Sequence, residues 1–86
     1  MPPIVMYTKP GCPYCASAKD LLRGKKVKFE EIVAYADPQL RAQMVERSGG
    51  RNTFPQIFIG DRHIGGSDDL YALDRAGELD RLLREE

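Results

Sequence analysis

The sequence has few of the residues that bind metal ions. It contains two cysteines, Cys12 and Cys15, and one histidine, His63, and it has no tryptophan. A structural zinc ion takes four protein ligands, drawn mostly from cysteine and histidine. Because the chain has only three such residues beside scattered acids, we expect no metal site.

The chain also lacks an excess of charge of one sign. Thirteen Lys and Arg residues balance thirteen Asp and Glu residues, so the formal net charge is zero. Non-specific binding to nucleic-acid phosphates or to anionic membranes depends on surplus positive charge. We therefore expect neither nucleic acid nor a membrane as a partner.

Long hydrophobic runs are missing too. No apolar stretch approaches the roughly 20 residues that span a bilayer, and residues 1–7 lack the basic start of a signal peptide. In a reducing compartment, paired cysteines are more often catalytic than structural. With 86 residues, of which 42% are hydrophobic, the chain is expected to be a single domain over residues 1–86 and a monomer in the cytoplasm.

Hydrophobic periodicity predicts alternating strands and helices. Pro13 and Pro38 occupy first helical positions, where proline costs no hydrogen bond, and Ser67 is the predicted cap of a further helix. The pair Gly60-Asp61 between two apolar runs predicts a type II′ hairpin. The predicted strands cover residues 4–7, 27–33, 56–59 and 62–64, and a last amphipathic helix includes residues 79–83.

The order of these elements predicts the fold class. A strand–helix–strand unit forms a right-handed parallel crossover, whereas the two strands of a hairpin are antiparallel. The sequence therefore predicts an α/β protein with a four-stranded mixed sheet flanked by helices.

The motif Cys12-Pro13-Tyr14-Cys15 is the main candidate for chemistry. Cys12 is predicted in the loop before the first helix and Cys15 in its first turn, where residues three apart have Cβ atoms about 5–6 Å apart. A disulfide needs about 3.8 Å, so a small adjustment closes it. The helix N-terminus and Lys9 favour a thiolate on Cys12, which makes Cys12 the nucleophile and Cys15 the resolving thiol. Two incidental cysteines are the alternative.

Two further segments allow either a structural or a functional interpretation. Pro55 can be an ordinary trans proline at a strand start, or a cis Phe54-Pro55 bond can turn the Phe54 backbone outward toward an extended peptide. The segment Gly65–Asp69 can be a simple helix start. It can also present free N–H groups to a carboxylate while Asp68 accepts an ammonium group.

Taken together, these segments resemble the glutaredoxin family over essentially the whole chain, and most closely its small bacterial glutaredoxin 3 type. The resemblance is carried by four ordered motifs, Tyr7-Thr8-Lys9, Cys12-Pro13-Tyr14-Cys15, Thr53-Phe54-Pro55-Gln56-Ile57-Phe58-Ile59 and Gly65-Gly66-Ser67-Asp68-Asp69-Leu70. It implies a thioredoxin-like fold and a cis Pro55. It also implies reduction of glutathione mixed disulfides and protein disulfides, with glutathione as co-substrate, no bound cofactor, and electrons supplied by a separate NADPH-dependent glutathione reductase.

The resemblance also implies a binding site for glutathione. Lys9 and Tyr14 would flank its glycyl end, and Thr53 with the Phe54 backbone, next to Pro55, would pair with its cysteinyl unit. The γ-glutamyl end would be held by Gly66, Ser67 and Asp68.

The chain departs from the family pattern at several positions. Phe54 replaces the valine common before the proline, and Ser67 stands where related chains often have a third cysteine. Gly49-Gly50 makes the preceding loop one residue longer. Arg51 can be a further partner for a carboxylate or an ordinary solvated loop charge, and it is left outside the predicted site. His63 is interpreted as a surface strand residue.

Two other functions compete with a glutathione-dependent reductase. In one, Cys12 and glutathione from two chains hold an iron–sulfur cluster, although Pro13 and Tyr14 are bulkier than the residues usual in such relatives. In the other, thioredoxin reductase supplies the electrons, although Tyr14 stands where thioredoxins have a Gly-Pro dipeptide.

Overall fold

The computed structural model describes residues 2–84. Its elements follow the predicted order of strand, helix, strand, helix, hairpin and helices. They are β1 (Ile4–Thr8), α1 (Pro13–Gly24), β2 (Glu30–Val33), α2 (Pro38–Arg47), β3 (Gln56–Ile59), β4 (Arg62–Gly65), α3 (Ser67–Arg75) and α4 (Glu78–Arg84).

The four strands form one mixed sheet in the order β2-β1-β3-β4. β1 pairs with β2 in parallel, with Val5 opposite Glu30. β3 is antiparallel to β1 and to β4. The predicted four-stranded mixed sheet is confirmed, and β1 lies inside it, so the loop after β1 leaves from a central strand.

Alternation along the central strands divides the core between the two faces of the sheet. Side chains of a strand point alternately to opposite faces, and Ile4 and Met6 of β1 therefore share one face while Tyr7 lies on the other. The first face is covered by α1, α3 and α4, through Ala18, Leu22, Leu70, Leu79 and Leu83. The second is covered by α2, whose Met44 packs with Tyr7 and Phe58.

The second strand begins three residues later than predicted, at Glu30 instead of Val27. Lys26 has a left-handed φ of 60°, and the N–H of Val27 donates to the carbonyl of Leu22 at 3.4 Å. Val27 and Phe29 instead pack against the first core face. These two apolar side chains therefore anchor the segment after α1 to the core, and β2 begins to pair with β1 only at Glu30.

The hairpin turn matches its prediction. Gly60 has a φ of 60°, and within residues 2–84 Asp61 is not among the residues with positive φ. A positive φ at the first turn residue alone is the pattern of a type II′ turn.

The cap of α3 differs from its prediction. Gly66, not Ser67, is the N-cap, and its N–H donates to the Asp69 carboxylate at 2.9 Å. Ser67 is instead the first helical residue and is buried. Gly65 before it has a φ of 116°, and a Cβ there would lie 2.3 Å from Oδ2 of Asp69. The absence of a Cβ at Gly65 thus lets the Asp69 side chain fold back onto the chain before the helix.

In the part of the chain that the structure covers, the helices are too short or too polar to span a membrane.

Candidate active site

The dithiol lies at the junction between the loop that follows β1 and the start of α1. Gly11 turns the chain with a φ of 68°, and Cys12 becomes the N-cap residue of α1 with Pro13 at the first helical position. The Sγ of Cys12 accepts a hydrogen bond from the backbone N–H of Cys15 at 3.3 Å. The thiol therefore occupies the position in which a capping oxygen usually satisfies the free N–H groups of a helix.

This position favours the thiolate of Cys12. Burial alone would raise the pKa of the thiol, but hydrogen bonds from the Cys15 thiol and from the N–H groups of Cys15 and Tyr14, with the charge of Lys9, outweigh it. The net result is a pKa below the usual value. The pKa of Cys12 is thus shifted in the direction expected from the sequence.

The second thiol has the opposite character. Cys15 is 2% exposed, and burial, together with its hydrogen bond to Cys12, raises its pKa to about 11. Lys19 acts in the other direction, because its charge lowers the pKa of Cys15. At neutral pH one sulfur of the pair is disposed to attack and the other to stay protonated until it is needed.

A cleft of about 450 Å³ opens on one side of the dithiol. Its wall includes an ion pair that sequence reasoning missed, between Lys19 of α1 and Glu31 of β2, at 3.1 Å. The Thr8 hydroxyl donates to the same Glu31 oxygen at 2.7 Å. Chiefly through this hydrogen bond, the pKa of Glu31 is lowered. The residues lining the cleft are Thr8, Lys9, Pro10, Gly11, Cys12, Pro13, Cys15, Ala16, Lys19, Glu31 and Val33.

A smaller cleft of about 170 Å³ brings together most of the residues predicted to bind a ligand. It is lined by Tyr14, Arg51, Phe54, Pro55, Gly66, Ser67, Asp68 and Asp69. Two predicted residues lie outside this lining: Lys9 belongs to the larger cleft, and Thr53 lines neither. Arg51, which the sequence prediction left out, is part of it.

The Phe54-Pro55 peptide bond is cis, as the resemblance implied. Within residues 2–84 the backbone N–H of Phe54 makes no hydrogen bond to another main-chain group. The N–H of Gly66, by contrast, is already bonded to Asp69. An extended ligand along this cleft could therefore pair with the Phe54 backbone, whereas Gly66 offers close approach but no free donor.

Thr53 and His63 are connected through a buried side chain. The Gln56 amide donates to Oγ1 and to the carbonyl of Thr53, at 3.0 and 3.1 Å. The Oε1 of Gln56 lies 2.7 Å from Nε2 of His63. His63 is half-buried, and its ring centroid is 5.0 Å from that of Phe58. The prediction of a simple surface residue at His63 was incomplete, because its ring has a buried partner.

An aromatic and cationic patch beside the smaller cleft was also missed by sequence reasoning. Tyr35 is 51% exposed, and its ring is approached by Lys9 at 5.9 Å and by Arg41 at 5.4 Å. Arg41 also lies 5.9 Å from the Phe54 ring. The ring centroids of Tyr35 and Phe54 lie 6.0 Å apart, and no sequence pattern links these two residues, since they belong to separate loops.

Known proteins resemble this chain over most of its length. A family model described as "Glutaredoxin" matches residues 4–64. The chain is 53% identical over 81 residues to "Glutaredoxin 3" of Escherichia coli K12, a match that covers 94% of this chain and 96% of the relative. The chain belongs to the glutaredoxin family. As a glutaredoxin-family protein, it is a thiol–disulfide oxidoreductase.

Solved structures of other glutaredoxins agree with the fold. The solution structure of glutaredoxin from Brucella melitensis is 63% identical, with a TM-score of 0.84, and the match covers 98% of this chain and 90% of that one. A buckwheat glutaredoxin–glutathione complex is 29% identical, also with a TM-score of 0.84, and the match covers 95% of this chain and 76% of that one. The predicted thioredoxin-like fold of this glutaredoxin-family chain is therefore confirmed.

Proposed function

We propose that the chain is a glutathione-dependent oxidoreductase that reduces glutathione mixed disulfides and protein disulfides. The main support is the position of Cys12, whose thiol has a lowered pKa, caps α1 and lies in the wall of the larger cleft. A thiolate is the form that attacks a disulfide. Cys12 is accordingly the nucleophile.

The reaction with a glutathione mixed disulfide needs only Cys12. Its thiolate attacks the glutathionyl sulfur, the original disulfide breaks, and the other thiolate leaves and takes a proton from water. Cys12 then carries glutathione as a mixed disulfide. A second glutathione thiolate attacks that glutathionyl sulfur, releases oxidised glutathione and restores the Cys12 thiolate.

Reduction of a protein disulfide needs both thiols. The Cys12 thiolate first attacks one sulfur of the substrate disulfide and forms a mixed disulfide with it, while the substrate S–S bond breaks and the other substrate sulfur leaves as a thiolate that takes a proton. Cys15 loses its proton and attacks Sγ of Cys12, which expels the second substrate thiolate and leaves a Cys12–Cys15 disulfide. Two molecules of glutathione then reduce this disulfide and leave as oxidised glutathione.

We propose that glutathione lies along the smaller cleft. Lys9 and Tyr14 flank its glycyl end, Thr53 and the Phe54 backbone beside Pro55 pair with its cysteinyl unit, and the γ-glutamyl end meets the start of α3. That last group consists of Gly66, Ser67 and Asp68. This orientation is supported by the unpaired Phe54 backbone, the lining of the cleft and the glutathione complex of the buckwheat relative.

The first test separates the two cysteines. Cys12→Ser should reduce turnover of a small glutathione mixed disulfide to background, because no second thiol can take its position at the helix N-terminus. Cys15→Ser should keep most of that activity and lose the reduction of protein disulfides, which requires the resolving step. The assay follows NADPH consumption coupled through glutathione reductase.

Two outcomes would contradict this assignment. Full mixed-disulfide activity in Cys12→Ser would remove Cys12 as the nucleophile, and equal loss of both activities in Cys15→Ser would refute the division of labour. Thiol-free protein, Cys12→Ser/Cys15→Ser, serves as the control and also allows glutathione binding to be measured by amide shifts. A separate measurement on the unsubstituted protein addresses the cluster-binding alternative. Visible absorption bands after its anaerobic reconstitution with iron, sulfide and glutathione would favour that alternative.

We propose, in addition, that the chain acts as a single domain and as a cytoplasmic monomer, with glutathione as co-substrate and no resident cofactor. A site of this kind needs only the dithiol and a groove for a tripeptide, since the sulfur atoms of enzyme and substrate carry the electrons.

A further inference from the structure

His63 is the only histidine of the chain, and the disulfide exchange described above makes no use of it. It lies on β4, away from the dithiol loop, yet its Nε2 is 2.7 Å from Oε1 of Gln56. Gln56 begins β3, is fully buried and donates to Thr53. Three residues therefore form one chain of hydrogen bonds that ends at the ligand-binding segment.

Which atom donates in each hydrogen bond between Thr53, Gln56 and His63 follows from the atoms that can only accept. The carbonyl of Thr53 can only accept, so the atom of Gln56 that faces it must be the amide nitrogen. The carbonyl oxygen of Gln56 then faces His63 and can only accept. Nε2 of His63 must therefore carry a proton, whatever the state of Nδ1.

The orientation of the Thr53 hydroxyl follows in the same way. Oγ1 of Thr53 accepts a hydrogen from the Gln56 amide at 3.0 Å. The hydroxyl proton of Thr53 then points away from Gln56. Since Thr53 is exposed, this leaves an O–H donor available to a carbonyl or carboxylate oxygen of a ligand.

We propose that His63 is a positioning residue for ligand binding, which acts through Gln56 to hold the Thr53 hydroxyl as a donor toward glutathione. The inference rests on the proposed function, because it assigns Thr53 to the glutathione site. His63 lines neither of the two clefts beside the dithiol. Its ring packs against that of Phe58 at a centroid distance of 5.0 Å, so the hydrogen-bond relay from His63 through Gln56 to Thr53 starts from a ring that packing holds in place.

The test compares two substitutions in the Cys12→Ser/Cys15→Ser protein. His63→Phe keeps a ring against Phe58 but removes the N–H, and His63→Gln restores an N–H donor without the ring. Loss of one neutral hydrogen bond should weaken glutathione binding about three- to tenfold in His63→Phe. His63→Gln should recover most of that loss. Equal weakening in both variants would show that the ring, not the hydrogen bond, matters.

A double-mutant cycle tells positioning from a general structural effect. Thr53→Val removes the hydroxyl and should itself weaken binding. If His63 acts through that hydroxyl, His63→Phe should weaken binding no further in the Thr53→Val background. Independent, additive losses would overturn the proposal.

A measurement on the unsubstituted chain avoids any dependence on how the variants fold. Imidazole nitrogen shifts should show the Nε2-protonated tautomer of His63, and a proton on Nδ1 alone would overturn the relay. Failure of the proposed function is a separate result. In that case the parent protein binds no glutathione, whereas failure of the relay leaves parent binding intact and unchanged by His63→Phe.

Discussion

Two thiols three residues apart are given opposite tendencies by their surroundings. Cys12 is surrounded by hydrogen-bond donors that lower its pKa, whereas burial raises the pKa of Cys15 to about 11. The pattern Cys-x-x-Cys alone predicts the donors, because they belong to the first turn of any helix that starts there. The neighbourhood of Lys19 and Cys15 follows from their i, i+4 spacing on α1, but the pattern does not predict the ion pair that joins Lys19 to Glu31 of β2.

This difference leads to a prediction for Lys19. Its charge lowers the pKa of Cys15, so Lys19→Met should raise that pKa further and slow the resolving step. Because partly exposed charges interact by at most about 1 kcal/mol, the reduction of a protein disulfide should slow by no more than about fivefold. Turnover of a glutathione mixed disulfide should be unchanged.

The measurement for Lys19 compares the two substrates in parallel assays, with Lys19→Arg as the variant that keeps the charge. A loss in Lys19→Met that affects both substrates alike would place the effect outside Cys15. So would a similar loss in Lys19→Arg.

At the scale of elements, helix starts are where the sequence is most informative. Asp37 was predicted to cap α2, and its Oδ1 accepts from the N–H groups of Gln39 and Leu40, at 3.0 and 3.1 Å. Asp37→Ala leaves both donors without this partner. It should destabilise the protein by about 1 kcal/mol and lower the melting temperature by about 4–8 °C.

Thermal unfolding followed by circular dichroism checks this prediction, with Asp37→Asn as the matched control. Asparagine caps a helix about as well as aspartate, so its melting temperature should stay close to that of the parent. Unfolding of Asp37→Ala at the parent temperature would show that α2 is held by its packing alone.

The element boundaries that failed have a common physical reason. Val27 is a residue type that favours strands, but the left-handed conformation of Lys26 before it and its packing against the core beside α1 keep it out of β2. Ser67 is a good cap by type, yet it is the first helical residue, and the hydrogen bond at this helix start runs from the Gly66 N–H to the Asp69 carboxylate. Arg51 and Tyr35 likewise reach the site from two separate loops, whose relative position a linear pattern does not encode.

At the scale of the whole molecule, one cation joins three helices. The ammonium of Lys25, just after α1, lies 2.6 Å from a carboxylate oxygen of Asp74 in α3 and 3.0 Å from one of Asp80 in α4. Hydrogen bonds to Asp74 and then to Asp80 raise the pKa of Lys25. The unfolded chain lacks these partners, so this lysine binds its proton more tightly when folded.

The sign of the resulting pH dependence follows by linkage. The contribution of Lys25 to stability is fully present below the ordinary lysine pKa and is lost as the pH rises through its higher folded value. The difference in urea midpoint between the parent and Lys25→Met should therefore stay constant from about pH 8 to about pH 10 and shrink as the pH rises from there toward about pH 12. Lys28→Met, at an exposed position, serves as the control, and a constant difference for Lys25→Met across that range would contradict the prediction.

The edges of the sheet bear on how the protein meets its substrates. β2 and β4, the two outer strands, have four residues each, and β2 exposes Glu30 and Glu31 along its length. Short, charged edges resist the addition of a foreign strand, which is the first step of sheet-to-sheet aggregation. The proposed reduction of protein disulfides would bring other polypeptide chains to this protein. Edges of this kind discourage those chains from adding to the sheet, which leaves the clefts around the dithiol as the place of contact.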